Sequence, residues 1–216
     1  MVAYIHMIYP DTKLEEKLWK EGYKIVLGLD EAGRGPLAGP VVAGGVVISD
    51  VSQVIPFVSD SKKMTEKKRN EAYWLIKENC LAYGVGIVGS GEIDSIGIQK
   101  AVLKAMNTVI EVVERKLNCK IDYIIADGKN ILDITKYKTE RIQQGDLFHY
   151  SISAGSVLAK VTRDRIMREY HIKYPNYGFD THVGYGTKKH MEALKKYGPT
   201  VIHRRSFKPV GDLCVL

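Results

Sequence analysis

Four runs of apolar, β-prone residues constrain this chain more than any other feature of its sequence. They are YKIVLGLD, VVAGGVVIS, LAYGVGIVG and KIDYIIADG, at residues 23–30, 41–49, 81–89 and 120–128. The first runs follow one another closely and predict hairpin-like strands, whereas helical segments lie between the later ones. This order implies a mixed central sheet with helices on its faces, which is an α/β fold.

Helical periodicity accounts for most of the remaining chain. Thr65 stands in the N-cap position of one helical segment, and Asp94 is expected to cap the next. A short polar strand is predicted near 137–143, and the stretch 173–187 is predicted to be a loop. The predicted helices cover 13–21, about 66–79, 96–118, a long segment that runs through Lys160 to about Tyr170, and 188–197.

The positive charge of the chain is concentrated in its last quarter. The formal net charge is +7, and residues 160–216 hold 12 Lys and Arg against 5 Asp and Glu. We therefore predict a core at 1–160 and a basic helical subdomain at 161–216 packed on it. A basic appendage suggests a polyanion such as nucleic acid, although solvated lysines need no partner. The residues expected to bind phosphates include Lys160, Arg163, Arg165, Lys188, Lys189, Arg204 and Arg205.

The sequence shows no sign of export or of a membrane span. Its three cysteines, Cys80, Cys119 and Cys214, are far apart and form no CxxC pair, so we expect reduced thiols. The N-terminus lacks the basic-then-apolar order of a signal peptide, and the longest weakly polar run is broken by Gly and Pro. We therefore expect a soluble, cytoplasmic protein with no membrane partner.

The stretch GLDEAGRGPLAGP, residues 28–40, places two carboxylates beside an arginine that stands between two glycines. A phosphate-binding loop is excluded, because such a loop needs a following helix N-terminus and here prolines and a β-prone run follow. Asp30 and Glu31 can face one site only where their strand ends, since consecutive strand residues point to opposite faces. A metal-ligand pair and a plain charged turn both remain open.

Two further carboxylates favour the metal-ligand interpretation. Asp127 ends the apolar run YIIAD, and Asp146 stands just ahead of the long helix, where it could equally be an N-cap. Ligands gather at the carboxyl ends of strands in an open α/β sheet. Carboxylates without His or Cys suit Mg²⁺ or Mn²⁺, and two such ions about 4 Å apart are a common arrangement for phosphodiester hydrolysis.

Six stretches of the chain resemble one known family, in that family's order. They are GLDEAGRGPLAGPVVA, SDSKKMTEKKR, IDYIIADGK, GD…ISAGSVLAKVTRDR, YPNYGFDTHVGYGTKKH and HRRSFKPV, which together span roughly residues 24–210. The chain resembles the type 2 ribonucleases H, specifically bacterial ribonuclease HII. The resemblance implies a ribonuclease H-like fold whose catalytic core is followed by a C-terminal helical subdomain.

The resemblance also implies an activity. We expect an endonuclease, acting as a monomer, that cuts RNA in RNA/DNA hybrids and cuts beside single ribonucleotides in duplex DNA. Asp30, Glu31, Asp127 and Asp146 match the family's four catalytic carboxylates. They imply two bound ions, Mg²⁺ or Mn²⁺, and products with 3′-hydroxyl and 5′-phosphate ends.

Further positions match the family's contacts to the nucleic acid. Gly33-Arg34-Gly35 matches the motif that reads the ribose 2′-hydroxyl through the backbone. Tyr185, in GYGT, matches the tyrosine that packs at the sugar next to the ribonucleotide. Additional contacts to the substrate are expected from Lys160 and Lys62.

One position departs from the family pattern. Gly155 stands where alanine is expected, and glycine in a helix interior costs about 1 kcal/mol relative to alanine, which puts local rigidity in doubt. Two alternative functions remain, namely a less selective hybrid nuclease of the same fold and a non-catalytic nucleic-acid-binding module. The short N-terminus favours ribonuclease HII over ribonuclease HIII, which has an extra substrate-binding domain. Structural roles are expected for His149, His182, His190 and His203.

Overall fold

The computed structural model describes residues 9–128 and 136–214 around a five-stranded mixed sheet. The strands are β1 (Val26–Ala32), β2 (Val41–Val47), β3 (Ala82–Val88), β4 (Tyr123–Asp127) and β5 (Thr139–Ile142). They lie in the order β3-β2-β1-β4-β5. The first three are antiparallel neighbours, whereas β4 runs parallel to β1 and β5 parallel to β4. The predicted mixed sheet is therefore confirmed.

Helices cover both faces of this sheet and form most of the C-terminal segment. They are α1 (Lys13–Lys20), α2 (Glu66–Asn79), α3 (Ser90–Ile96), α4 (Ile98–Leu117), α5 (Gly145–Phe148), α6 (Tyr150–Lys173), α7 (Phe179–His182) and α8 (Lys188–Tyr197). The predicted cap of α2 is confirmed, because Thr65 Oγ1 accepts a hydrogen bond from the N–H of Lys68 at 3.3 Å. The stretch predicted as one helix over 96–118 is preceded by α3 as a separate helix.

Side chains on β1 alternate between two helical layers. Leu27 and Leu29 are fully buried on the face covered by α4, beside Val109 of that helix. Gly28 and Asp30 point to the opposite face, against α6. Consecutive strand residues point to opposite faces, so the two carboxylates of the acidic pair can face one site only because they lie where β1 ends.

The helix α6 approaches the sheet at backbone contact distance. A Cβ atom on Gly155 would lie 2.8 Å from the carbonyl oxygen of Gly44 in β2, closer than Cβ atoms normally come to anything. Glycine at 155 therefore lets the helix rest directly on the strand. This contact corrects the expectation that Gly155 weakens the rigidity of the helix. It also brings Ser156 and Lys160 of α6 to the edge where β1 and β4 end.

The C-terminal helices pack on the second half of α6. Their apolar cluster includes Met167 of α6, Phe179 and Leu194, all buried. α6 runs without interruption through residue 160. The division into a core and a C-terminal subdomain at that residue stays a prediction.

Asp94 does not cap the helix that follows it, so that expectation is wrong. It lies inside α3, and its carboxylate accepts hydrogen bonds from the N–H groups of Arg205 and Ser206 at 2.8 and 2.9 Å. The N-cap of α4 is Gly97 instead. Asp94 thereby ties the C-terminal segment to the helical layer of the core.

Two of the three cysteines are described with their side chains. Cys80 and Cys119 are free thiols, as predicted, whereas the side chain of Cys214 lies outside the described part of the chain. Among the helices that the structure describes, none is long and apolar enough to span a membrane.

Candidate active site

A cavity of about 480 Å³ opens where the carboxyl ends of β1 and β4 meet. Asp127 is the last residue of β4, and Glu31 lies at the end of β1. Parallel neighbours in a sheet present their carboxyl ends at one edge, so the carboxylates of the two strands come together as expected. Every predicted site residue lines this cavity except Asp146.

Asp30 is buried between β1 and α6. Its Oδ1 accepts a hydrogen bond from the N–H of Glu31 at 2.7 Å. Burial first, and then the charge of Glu31, raise the pKa of Asp30 well above its usual value, while a hydrogen bond with Ser156 opposes the shift. An ionised Asp30 is therefore unfavourable here unless a cation lies close by.

Glu31 lies beside Arg34 at the cavity wall. Nη1 of Arg34 is 3.2 Å from Oε1 of Glu31, and Oε2 is buried with no hydrogen-bond partner among the described residues. Burial raises the pKa of Glu31, and the charge of Arg34 offsets this only in part. The unpaired Oε2 is a lone-pair donor that a cation could use.

Asp127 and Asp146 are brought together by α5. The N–H of Gly145 donates to Oδ1 of Asp127 at 2.6 Å, and Asp146 follows directly in the chain. The alternative that Asp146 is an N-cap is wrong, because the N-cap positions of α5 and α6 belong to Gln144 and His149. Burial, followed by the charge of Asp127, raises the pKa of Asp146.

The four carboxylates fit divalent cations by their chemistry. Within the described chain, no three Asp, Glu, His or Cys side chains already converge as a metal-binding group. The carboxylates nevertheless repel one another across the site, and this repulsion contributes to the raised pKa of Asp30. Oxygen ligands only, mutual repulsion and the unpaired Oε2 of Glu31 together suit hard ions such as Mg²⁺ or Mn²⁺.

Two lysines of the predicted substrate-binding set face the same cavity. Burial alone would lower the pKa of Lys62, but the carboxylates of the site, led by Asp146, outweigh it and raise the pKa. Nζ of Lys160 donates to Oδ1 of Asp164, one turn further along α6, at 2.8 Å. The pKa of Lys62 thus responds to the acidic cluster, which is Asp30, Glu31, Asp127 and Asp146, whereas Lys160 is held by Asp164. Their contacts to nucleic acid stay predictions.

The 33–40 loop, which joins β1 to β2, begins with the two glycines that flank Arg34. Gly33 has a φ of +96°, and a Cβ there would lie 2.1 Å from Nε of Arg163, so both the turn and the packing require glycine. Gly35 lies outside the left-handed region, and a Cβ there would meet only the ring of Tyr185, at 3.8 Å. The fold therefore requires glycine at 33 but not at 35.

Arg163 and Arg204 do not bind phosphates, and that prediction is wrong. Both side chains are almost completely buried, with 1% and 0% of their surface exposed. Their guanidinium groups donate to main-chain carbonyl oxygens of the 33–40 loop and of Val183. A guanidinium carries five N–H donors, so a loop that presents several carbonyl oxygens can satisfy its hydrogen bonds without an acidic partner.

Tyr185 is about half exposed, and its main chain is anchored by two buried histidines. Nδ1 of His190 donates to the carbonyl oxygen of Tyr185 at 2.9 Å, and Nε2 of His203 lies 3.0 Å from Nε2 of His190. The N–H of Thr200 donates to Nδ1 of His203 at 2.9 Å. Each ring therefore carries a single proton. Burial lowers the pKa of both histidines to about 4, in keeping with the predicted structural role.

Sequence reasoning did not single out three further residues of the cavity wall. Oγ of Ser61 lies 3.0 Å from Oγ of Ser156 on α6. Nη1 of Arg69 donates to the carbonyl oxygens of Ser61 and Met64 at 2.6 and 2.8 Å. These contacts fix the segment that carries Lys62. Their only signal in the sequence is their position inside the stretches SDSKKMTEKKR and ISAGSVLAK.

Comparison with known proteins assigns the chain to one family. The family model of ribonuclease HII matches residues 27–210. A ribonuclease HII from Caldanaerobacter subterraneus is 50% identical over 193 residues, which cover 89% of this chain and 78% of that protein. The structure of a PCNA:RNase HII complex from Archaeoglobus fulgidus matches with a TM-score of 0.70 at 25% identity, over 85% of this chain and 95% of that one. Bst-RNase HIII in complex with Mn²⁺ shares the fold at 14% identity, with a TM-score of 0.66 over 88% and 69% of the two chains.

The mixed sheet and its flanking helices define a ribonuclease H-like fold, and the family match makes the chain a metal-dependent hydrolase. The chain belongs to the ribonuclease HII family. It is therefore a ribonuclease, an endonuclease that acts on the RNA of RNA/DNA hybrids. The family resemblance drawn from the sequence motifs is confirmed, and so is the fold that it implied.

Proposed function

We propose that this chain cuts duplex DNA on the 5′ side of a single embedded ribonucleotide, in addition to cutting the RNA strand of longer hybrids. Water adds to phosphorus, the 3′ oxygen leaves, and the products carry 3′-hydroxyl and 5′-phosphate ends. Two divalent ions, Mg²⁺ or Mn²⁺, would be held by Asp30, Glu31, Asp127 and Asp146. The enzyme acts as a monomer.

One observation carries this proposal: Gly33-Arg34-Gly35 lines the same cavity as three of the four carboxylates, Asp30, Glu31 and Asp127. A ribonucleotide differs from a deoxyribonucleotide by one hydroxyl group, so selectivity must come from contacts to the sugar. Gly35 has no side chain and no structural need to lack one, which leaves its backbone open to close approach by a ligand. The ring of Tyr185 stands beside it. A sugar at this point lies next to the carboxylates.

Some residues of the chain would contribute charge to the reaction, and others would position the substrate. Divalent ions, when bound, would lower the pKa of an attacking water and neutralise charge that develops on the phosphate. Arg34 lies at the cavity wall with its guanidinium partly exposed, and it is suited to hold a neighbouring phosphate. Lys62 adds a positive charge directly beside the carboxylates. Tyr185 would pack against the sugar.

Outside the cavity, the exposed basic residues would bind the phosphates of the nucleic acid. Arg163 and Arg204 are buried and drop out of the predicted set. Lys188 and Lys189 remain exposed at the start of α8, close in sequence to Tyr185. Charges of this kind bind the nucleic-acid backbone irrespective of base sequence.

The test is cleavage of a DNA duplex that carries one ribonucleotide, in Mg²⁺ or Mn²⁺, beside an all-DNA duplex and a long RNA/DNA hybrid. We expect a cut on the 5′ side of the ribonucleotide, no cut in all-DNA, and loss of both activities in Asp127→Asn. Cleavage of the long hybrid alone would show a less selective hybrid nuclease. Binding without any cleavage would favour the non-catalytic module.

A further inference from the structure

The 33–40 loop is held from inside the protein by two arginines that have no acidic partner. Within the described residues, no carboxylate lies within ion-pair distance of either Arg163 or Arg204. Burial lowers the pKa of Arg163 to about 10 and of Arg204 to about 9, so both remain charged at neutral pH. Burying two positive charges costs desolvation free energy, which their hydrogen bonds to main-chain carbonyls must offset.

Arg204 binds the beginning and the end of the loop at the same time. Its Nη2 and Nη1 donate to the carbonyl oxygens of Gly33 and Arg34 at 2.6 and 2.8 Å, and its Nε donates to that of Gly39 at 3.0 Å. Its own N–H donates to the carbonyl oxygen of Leu37 at 2.8 Å. One residue from the C-terminal segment thus fixes four carbonyl groups of the loop.

Arg163, on α6, holds the remaining part of the loop. Its Nε and Nη2 donate to the carbonyl oxygens of Pro40 and Ala38 at 2.9 and 3.1 Å. Its Nη1 reaches the carbonyl oxygen of Val183 at 2.9 Å, just ahead of the segment that carries Tyr185. The same guanidinium therefore links the loop to the segment that carries Tyr185, the residue predicted to pack at the sugar.

At the beginning of the loop these bonds occupy the main-chain carbonyl oxygens but not the main-chain N–H groups. The carbonyl oxygens of Gly33 and Arg34 are occupied by Arg204. By contrast, the N–H groups of Arg34 and Gly35 donate to no acceptor in the part of the chain that the structure describes. Both residues line the cavity. Arg204 thereby directs the carbonyl oxygens of Gly33 and Arg34 inward, while the N–H groups of Arg34 and Gly35 are left available to a ligand.

The C-terminal segment that carries Arg204 is itself fixed to the core. Asp94 of α3 accepts hydrogen bonds from the N–H groups of the two following residues, Arg205 and Ser206. The N–H of Gly39 donates to the carbonyl oxygen of Ile202 at 2.8 Å. The guanidinium of Arg204 is therefore positioned from both sides.

We propose that Arg204 and Arg163 are positioning residues for ribose recognition: they preset the backbone of Gly33-Arg34-Gly35 so that its free N–H groups meet the 2′-hydroxyl oxygen. The proposal rests on the proposed function, the incision at a single ribonucleotide. A single ribonucleotide offers one 2′-hydroxyl and one register, whereas a long hybrid offers many. A loosened loop should therefore impair cleavage of the single-ribonucleotide duplex more than cleavage of the hybrid.

The test uses the full chain with Arg204→Lys and Arg163→Lys. Each keeps the charge but replaces a guanidinium by one nitrogen, which cannot reach three separate carbonyls. We expect kcat/KM on the single-ribonucleotide duplex to fall about 100-fold, mainly in kcat, and on the long hybrid about tenfold or less. Hydrogen exchange of the amides of Leu37 and Gly39 should become faster. The matched control is Tyr150→Phe, which removes a buried hydrogen bond to Ile55 in another part of the core.

The outcomes separate this proposal from the proposed function. Equal losses on both substrates, as expected for Tyr150→Phe, would show that the arginines only stabilise the fold and would overturn the positioning role. Unchanged exchange of the loop amides would overturn it as well. If the wild-type chain cuts hybrids but not the single ribonucleotide, the proposed function fails, and ribose selectivity through these arginines fails with it. If Arg204→Lys does not fold, Arg163→Lys decides the question by the same two measurements.

Discussion

The acidic cluster and the 33–40 loop meet at one cavity, which Asp30, Glu31 and Asp127 line together with the beginning of the loop. The two regions differ in how far the chain satisfies their polar groups. In the acidic cluster, burial and like charges raise the pKa of Asp30, and Oε2 of Glu31 has no hydrogen-bond partner among the described residues. In the loop, five main-chain carbonyls receive hydrogen bonds from the guanidinium groups of Arg163 and Arg204. In the proposed function divalent cations would satisfy the first region, whereas the chain's own hydrogen bonds satisfy the second.

This difference predicts that the two regions respond to substitution in opposite ways. A carboxylate in the acidic cluster weakens the metal-free fold and is kept for its chemistry, because ionised groups that repel one another cost free energy. Gly33 and the two buried arginines that hold the loop stabilise the fold and, in the proposed function, also shape the sugar site. Activity and stability should therefore diverge in the acidic cluster and fall together at Gly33, Arg163 and Arg204.

Asp30→Asn tests the acidic cluster and should have the largest effect. We expect kcat in Mg²⁺ to fall by about 10³-fold or more, roughly 4 kcal/mol in the activation free energy. The folded-state pKa of Asp30 lies above the ordinary value of 3.8, so its contribution to stability is present below that value and is lost as pH rises through the folded-state pKa. At pH 8 without metal, the variant should therefore unfold at higher urea than wild type.

The control for Asp30→Asn is Asp212→Asn, which changes an exposed carboxylate far along the chain. Its cleavage rate and its urea midpoint should both match wild type. Added Mg²⁺ should raise the melting temperature of wild type and of the control, and should raise that of Asp30→Asn less. A metal-free Asp30→Asn chain that is less stable than wild type at pH 8 would contradict the description of the acidic cluster.

Gly33→Ala and Gly35→Ala form a matched pair that tests the loop. Alanine at 33 must adopt a φ of +96° and displace Arg163, so we expect a loss of about 2–4 kcal/mol in the free energy of unfolding. Alanine at 35 meets only Tyr185 at ordinary contact distance, and the loss should stay within about 0.5 kcal/mol. Urea unfolding monitored by tryptophan fluorescence measures both.

Cleavage of the single-ribonucleotide duplex completes the comparison of the two glycines. Gly35→Ala should cut this substrate about 10–100 times more slowly, because its methyl group enters the space next to Tyr185 where a sugar would lie. Its stability should not change. If Gly35→Ala cuts as fast as wild type, the backbone at 35 does not approach the ribose, and the role of the motif rests on Gly33 and Arg34 alone.

Sequence reasoning found the acidic cluster more completely than the loop, for a physical reason. Asp127 follows an apolar run, and the ends of neighbouring strands share an edge, so local pattern and sheet geometry sufficed. Arg163 and Arg204 look like solvated residues of a basic segment. They are buried only because carbonyl groups as far as 171 residues away in sequence receive their hydrogen bonds. Burial of a charge depends on such distant partners, which no local pattern contains.

The histidine anchor of Tyr185 gives a third prediction, through pH. His190 and His203 have a folded-state pKa of about 4 against an ordinary value of 6.5. Between these pH values the two rings are protonated in the unfolded chain but not in the folded chain. Their contribution to stability is complete above about pH 6.5 and is lost as pH falls towards 4, on the order of 3 kcal/mol for each ring. Urea midpoints between pH 7.5 and 5 measure the loss.

The carboxylates with raised pKa shift stability in the opposite direction, so the test compares variants. His203→Asn should show a shallower loss of stability on acidification than wild type, because one of the two buried rings no longer titrates. Equal slopes in His203→Asn and wild type would show that the buried pair does not control the acid response.

Gly155→Ala tests the contact that carries both regions, since α6 contributes Ser156, which hydrogen-bonds Asp30, and Arg163, which holds the loop. Helix propensity alone favours alanine by about 1 kcal/mol, but its Cβ would meet the carbonyl oxygen of Gly44 at 2.8 Å. We expect the clash to outweigh the propensity and to lower the free energy of unfolding by about 1–2 kcal/mol. Gly91→Ala in α3, where a Cβ meets nothing within 4 Å, is the matched control and should not destabilise the chain.

Gly155→Ala should also displace α6 slightly from the sheet. Because this displacement is small and acts on the acidic cluster and the loop alike, cleavage of single-ribonucleotide and hybrid substrates should fall by the same modest factor. A selective loss on one substrate would mean that α6 positions only one of the two regions.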